Sequence, residues 1–99
     1  MSINNIISFW GNKCKVHIAQ YSNKRIALEL LDINDNTSIA IATVNLPNID
    51  LQKDEVAIKN YSENEGILDI LINAEIISKP LYSVKSGFID IPICKLLMI

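Results

Sequence analysis

The side chains that could do chemistry in this sequence are few and far apart. His17 is the single histidine, Cys14 and Cys94 are separated by most of the chain, and Gly11, Gly66 and Gly87 are the three glycines. A Ser/His/Asp or Cys/His arrangement would have to recruit His17, which alternates with Lys13 and Lys15 on the expected solvent face of a strand. One histidine and two distant cysteines make no metal-ligand spacing, and the glycines fall in neither a GxGxxG nor a GxxxxGK pattern. Glu63, Glu65 and Asp69 cluster as carboxylates, but their position fits charges at a helix start better than a hydrolytic pair. No catalytic residue, metal ligand or cofactor is therefore expected, and the chain reads as a non-enzyme.

Charge narrows the partners. The 9 basic and 11 acidic residues give a formal charge of −2, with both signs scattered and Arg25 the single arginine. Direct nucleic-acid binding is disfavoured because it needs a concentrated basic surface that displaces counterions. No apolar run approaches the ~18 residues of a membrane helix, and the opening Met1-Ser2-Ile3-Asn4-Asn5 lacks a basic leader segment. The expectation is a soluble cytoplasmic protein with no membrane partner. Its cysteines are then reduced thiols, with a disulfide between them the minority reading.

With 99 residues, 49 % of them apolar, the chain is long enough for one domain over 1–99 with its own core. Strands are expected at about 3–10 and 13–20, joined at Gly11-Asn12 as a two-residue hairpin corner. Tyr21-Ser22-Asn23-Lys24 has turn chemistry, and Arg25 to Leu30 resumes the alternation, with Ile26, Leu28 and Leu30 on one face. Asn34-Asp35-Asn36 breaks it. Ser38 to Val44 is apolar on both faces and reads as a central strand, and Asp54 to Lys59 supplies a short one. A polar turn ends at Ser86-Gly87. Phe88 to Ile93 then alternates again, with Pro92 marking an edge or a strand end.

Between these lies the helix signal. Ile67, Ile70, Leu71, Ala74 and Ile77 recur at spacings of three and four, predicting one α-helix over about 63–77. Ser62 and Glu65 have the spacing of a capping box, and Ser78-Lys79-Pro80 stops the helix. The fold class is α+β: an antiparallel meander of four to six strands packed with that helix.

Two surfaces are candidates for binding. On a helical wheel Ile72 and Ile76 fall beside Glu65, Asp69 and Asn73, away from the main apolar stripe. With the preceding loop this gives a partner-binding surface of Tyr61, Glu63, Asn64, Glu65, Asp69, Ile72 and Ile76, against the plainer reading of a helix buried on two sides. The apolar tail Leu96-Leu97-Met98-Ile99 either completes the protein's own sheet or pairs two copies into a homodimer.

Ile, Asn and Lys are abundant while Arg, Gly and Ala are scarce, the bias AT-rich codons produce in low-GC bacteria and their mobile elements. The segments Val56-Ala57-Ile58-Lys59-Asn60-Tyr61-Ser62-Glu63-Asn64-Glu65-Gly66, Thr43-Val44-Asn45-Leu46-Pro47 and Ser86-Gly87-Phe88-Ile89-Asp90-Ile91-Pro92-Ile93-Cys94 resemble a domain-of-unknown-function family. Its members are short proteins of low-GC Gram-positive bacteria, their phages and conjugative elements. The likeness runs from Trp10-Gly11-Asn12-Lys13 to Cys94-Lys95-Leu96 and supplies no activity or site residue to carry over. What it implies is a setting in which small proteins bind and block bacterial host proteins, antiviral defence proteins among them. The expectation is a protein-binding inhibitor or redirector. The rivals are a small-ligand or nucleotide-signal binder, disfavoured by the shortage of Arg and glycine, and a structural or regulatory subunit of the mobile element.

Overall fold

The computed structural model describes residues 6–97. The fold is α+β and mostly antiparallel sheet, as expected, and the described residues form seven strands in two sheets. β1 (Ile6–Phe9), β2 (Asn12–Gln20), β3 (Ile26–Asp32) and β4 (Ser38–Ile41) follow one another as a four-stranded meander. β5 (Glu55–Ala57), β6 (Tyr82–Ser86) and β7 (Ile89–Lys95) form a second sheet in the order β5-β7-β6, and α1 (Ile67–Asn73) packs against β1.

Alternation in the first sheet separates core from solvent. Ile7, Phe9, Cys14, Val16, Leu28 and Leu30 point inward and are buried, while Lys13 and His17 lie exposed on the other face, His17 opposite Glu29. Their inward set joins Val56, Ile58, Ile67, Leu71, Ile76, Ile77 and Cys94 in the main core. Next to Val56 and Cys94, Ala57 and Ile93 turn the opposite way and join Ile91 in a second cluster under Val44, Leu46, Leu51, Tyr61 and Val84. The β5–β7 pair is thus buried on both faces, with residues of alternate parity feeding two cores.

Several expectations are corrected in detail. The first hairpin turns at Trp10-Gly11, one residue earlier than expected: Phe9 pairs with Asn12, and Trp10 (φ 53) and Gly11 (φ 76) take the two positive-φ corners of a type I′ turn. Residues 3–5 of the expected first strand lie outside the described residues. β4 is an edge strand of its sheet, not a central one, and a bulge at Leu30/Leu31 shifts its register. Tyr82–Ser86, read as part of a turn, is β6. Its hairpin corner is Gly87-Phe88, with Gly87 at φ 63 and Phe88 fully exposed.

Pro92 sits in β7, the central strand of the second sheet, contrary to its reading as an edge signal. Its carbonyl accepts from Ile58 N–H at 3.0 Å, one residue past the end of β5, so its missing N–H faces a place where the ladder has already stopped. The described part of the tail pairs within its own chain: Leu96 bridges Ile77, and Leu97 N–H donates to the Ile76 carbonyl at 2.9 Å. Met98 and Ile99 lie outside the described residues.

The helix is shorter than the expected 63–77. Gly66 at φ 95 separates a 3-10 turn (Ser62–Asn64) from α1, and Ser62 itself is left-handed at φ 54, so the capping box does not form. Asn60 replaces it. Its side-chain oxygen accepts from the N–H groups of Gly66 (3.1 Å) and Leu68 (3.0 Å), satisfying orphan donors of the first turn. At the far end Glu75 is left-handed (φ 60), with Glu75 N–H on the Ile72 carbonyl and Ile76 N–H on the Leu71 carbonyl. This is a Schellman ending with Glu in the glycine place.

Candidate functional site

The loop between β5 and α1 divides two open clefts. Lys59, Asn60 and Tyr61 leave β5, the 3-10 turn carries Glu63 and Asn64, and Glu63 lines both clefts. One, of about 510 Å³, lies between the end of β1 and β4 and is lined by Phe9, Trp10, Asn12, Ser38, Ile39 and Ala40 with Glu63 and Asn64. Its neighbour, of about 380 Å³, is lined by Tyr21, Ile41, Thr43, Val44, Asn45, Lys59 and Tyr61 with Glu63.

Trp10 forms one wall of the larger cleft. The residue is 68 % exposed, yet its ring is held: Nε1–H donates to the Glu63 carbonyl at 2.9 Å, and the Phe9 ring meets it edge-on at 5.9 Å between centroids. Asn12 Nδ2 donates to the Trp10 carbonyl at 3.2 Å. The β1–β2 turn is thereby fastened to the loop 53 residues further along the chain.

The polar side chains of the smaller cleft are paired with one another. Lys59 Nζ lies 2.6 Å from Glu63 Oε2 and 5.7 Å from the centre of the Tyr61 ring. That contact holds the Glu63 carboxyl below the usual carboxylate range and lifts the Lys59 ammonium above its own. Opposite, Tyr21 Oη and Thr43 Oγ1 are 3.0 Å apart, and Thr43 Oγ1 also accepts from Leu28 N–H. Asn23 donates to Asn45 Oδ1 at 3.1 Å.

The expected binding residues divide by place. Tyr61, Glu63 and Asn64 line the clefts, but Asn64 is almost wholly buried and its Nδ2 donates to the Ile41 carbonyl, a structural tie. Glu65 and Asp69 are exposed outside the cleft walls, and Ile72 is half-buried. Ile76 is fully buried, which corrects its placement on an outer helix face: it follows the Schellman turn, where the wheel no longer applies, and packs in the core with Leu71. Trp10 is the residue sequence reasoning missed. The available signal was an aromatic at the first corner of an Xaa-Gly hairpin, a place that favours Asn or Asp.

Among the described residues no cluster of three or more His, Cys, Asp or Glu could hold a metal ion, and no helix is long and apolar enough to cross a membrane. Both cysteines are free and fully buried, and burial pushes the Cys94 thiol up to about 11. No family model, curated protein or solved structure matches the chain.

Proposed function

We propose that this chain is a non-enzymatic protein-binding module that inhibits or redirects a bacterial protein, engaging it through Trp10 and the Tyr61–Glu63 rim of the adjoining clefts. The observation that carries the reading is the conformation of Trp10. A left-handed φ costs an L-residue roughly 1–2 kcal/mol, and type I′ corners favour Asn, Asp or Gly. Here a tryptophan occupies the corner and is held with most of its surface in water. Backbone strain of this kind collects at binding sites, and fixed, exposed Trp is a side chain that interfaces use as an anchor, because its ordering entropy is already lost before binding. The bacterial host setting, antiviral defence proteins included, rests on the amino-acid composition bias and on the family resemblance.

The test is capture from bacterial lysate with wild type and Trp10→Asn in parallel, followed by fluorescence titration of the identified partner. Trp10 is the sole tryptophan, so its emission shifts to the blue when docking removes it from water. Loss of the partner in Trp10→Asn, with the double variant Glu65→Lys/Asp69→Lys showing how far the interface extends along α1, is the expected result. A partner retained equally by Trp10→Asn ends the proposal.

A second reading is favoured by the smaller cleft, whose two tyrosines, lysine and threonine surround a volume within the ~300–1,000 Å³ range of small-ligand sites. Thermal-shift screening against nucleotides separates the two readings, since a ligand at 100 times its Kd stabilises the native state by about 2.7 kcal/mol. A flat panel leaves the protein-binding reading alone.

A further inference from the structure

β6 is an edge strand that pairs with β7 alone, and its ends are apolar: Leu81 is 54 % exposed before it, and Phe88 stands fully in solvent at the corner after it. The direction of its backbone groups is fixed by its neighbours. Pro92 turns its carbonyl to Ile58, so Ile91 and Ile93 turn theirs to β6, and Ile93 O accepts from Leu81 N–H. Tyr82, Val84 and Ser86, the residues opposite Ile93, Ile91 and Ile89, therefore face β7. The N–H and C=O groups of Ser83 and Lys85 face outward from the sheet.

We propose that this edge is a homodimer interface, with two copies of β6 antiparallel about a two-fold axis at Val84 and the second sheets of both copies joined into one. In that register Ser83 of each copy lies opposite Lys85 of the other, which satisfies the outward N–H and C=O groups of both residues. Like charges stay apart, whereas an axis at Lys85 would set two ammonium groups against each other. Each Lys85 keeps its contact with Asp90 of its own chain at 3.3 Å. The same register carries each Phe88 to Pro80 and Leu81 of the other copy, so the two exposed apolar ends cover one another.

The association is of modest strength. A buried aromatic side chain contributes roughly 150–250 Å². Two Phe88 rings, two Leu81 side chains and a short strand pair therefore give an interface near the lower bound of roughly 1,200 Å² for stable complexes. Assembly stops at two copies, because the opposite edge, β5, runs on into the Thr43–Ile58 bridge to the first sheet.

Sedimentation velocity from low micromolar to near-millimolar concentration tests this. Wild type shifts from monomer to dimer across the range, while Ser83→Pro, which removes an outward donor, and Phe88→Ser, at a solvent-exposed corner, remain monomeric. Val84→Cys gives a covalent dimer under mild oxidation, because Cα atoms of close antiparallel pairs lie about 4.5 Å apart, within disulfide reach, whereas Ser86→Cys does not. Native Cys14 and Cys94 are buried and do not compete. A wild type that stays monomeric throughout, a dimer indifferent to both Ser83→Pro and Phe88→Ser, or Ser86→Cys linking as readily as Val84→Cys overturns the proposal.

Discussion

Asn64 donates its side-chain amide to the Ile41 carbonyl at 2.6 Å, closing the outer edge of β4 with a residue 23 positions further along the chain. An edge strand with open carbonyls is a template for unwanted pairing, and here a bulge and one buried amide blunt it. Removing that amide leaves the Ile41 carbonyl without its partner. Asn64→Ala is expected to lose about 0.5–1.5 kcal/mol in urea denaturation, the net worth of one hydrogen bond.

Asn60 and Ser62 make an opposed pair of tests. Because Asn60 accepts from Gly66 and Leu68 while Ser62 caps nothing, Asn60→Ala should lose about 1 kcal/mol and Ser62→Ala less than about 0.5 kcal/mol. Thermal unfolding of both variants reads the difference. The reverse order would restore the capping box.

Replacing Trp10 by Asn should leave the protein at least as stable as wild type. The variant gives up the Glu63 contact, about 0.5–1.5 kcal/mol for a hydrogen bond, and relieves a corner that Asn occupies readily. Equal or higher stability alongside lost partner capture identifies Trp10 as kept for recognition. A fall of several kcal/mol in chemical denaturation would make it a packing residue instead.

Cys94 sets an alkaline limit. Its thiol, ordinarily near 9.0, is held at about 11 by burial, and Cys14 is pushed up by the same cause together with Asp32. A raised folded-state value means the contribution is fully present below pH 9 and is lost as pH rises towards 11. For Cys94 the loss by then is on the order of 2 kcal/mol. Comparing the pH slope of denaturation midpoints between wild type and Cys94→Val isolates it, and native protein at pH 8 should resist alkylation at both cysteines.

Much of the fold was legible because period-two alternation survives wherever one face meets a core. β2, β3 and β7 fall where Val16, Leu28 and Ile91 signal them, and His17 is exposed as its lysine neighbours imply. Failures gather where a backbone torsion outweighs side-chain pattern. Left-handed Ser62 and Gly66 delay α1, left-handed Glu75 ends it before Ile76, and Trp10 shifts the hairpin corner by one residue. Apart from glycine, none of these types announces positive φ. β6 was hidden for another reason: a solvent-facing edge strand has little apolar alternation to show. Of the candidate surface, Tyr61 and Glu63 were found from the loop before the helix. Trp10 joined them only through a contact 53 residues long in sequence.

The two sheets meet at Thr43, which bridges Ile58, accepts from Leu28 N–H and binds the Tyr21 hydroxyl through its own side chain. The Val44–Ala57 and Lys59–Ala42 backbone bonds flank it, so the junction of the two sheets is a short buried seam that stands at the wall of the smaller cleft. A ligand in that cleft would therefore bear directly on the seam between the sheets. Amide exchange at Leu28 and Lys59, whose N–H groups bond to Thr43 and Ala42 in that seam, would slow together when the cleft is filled.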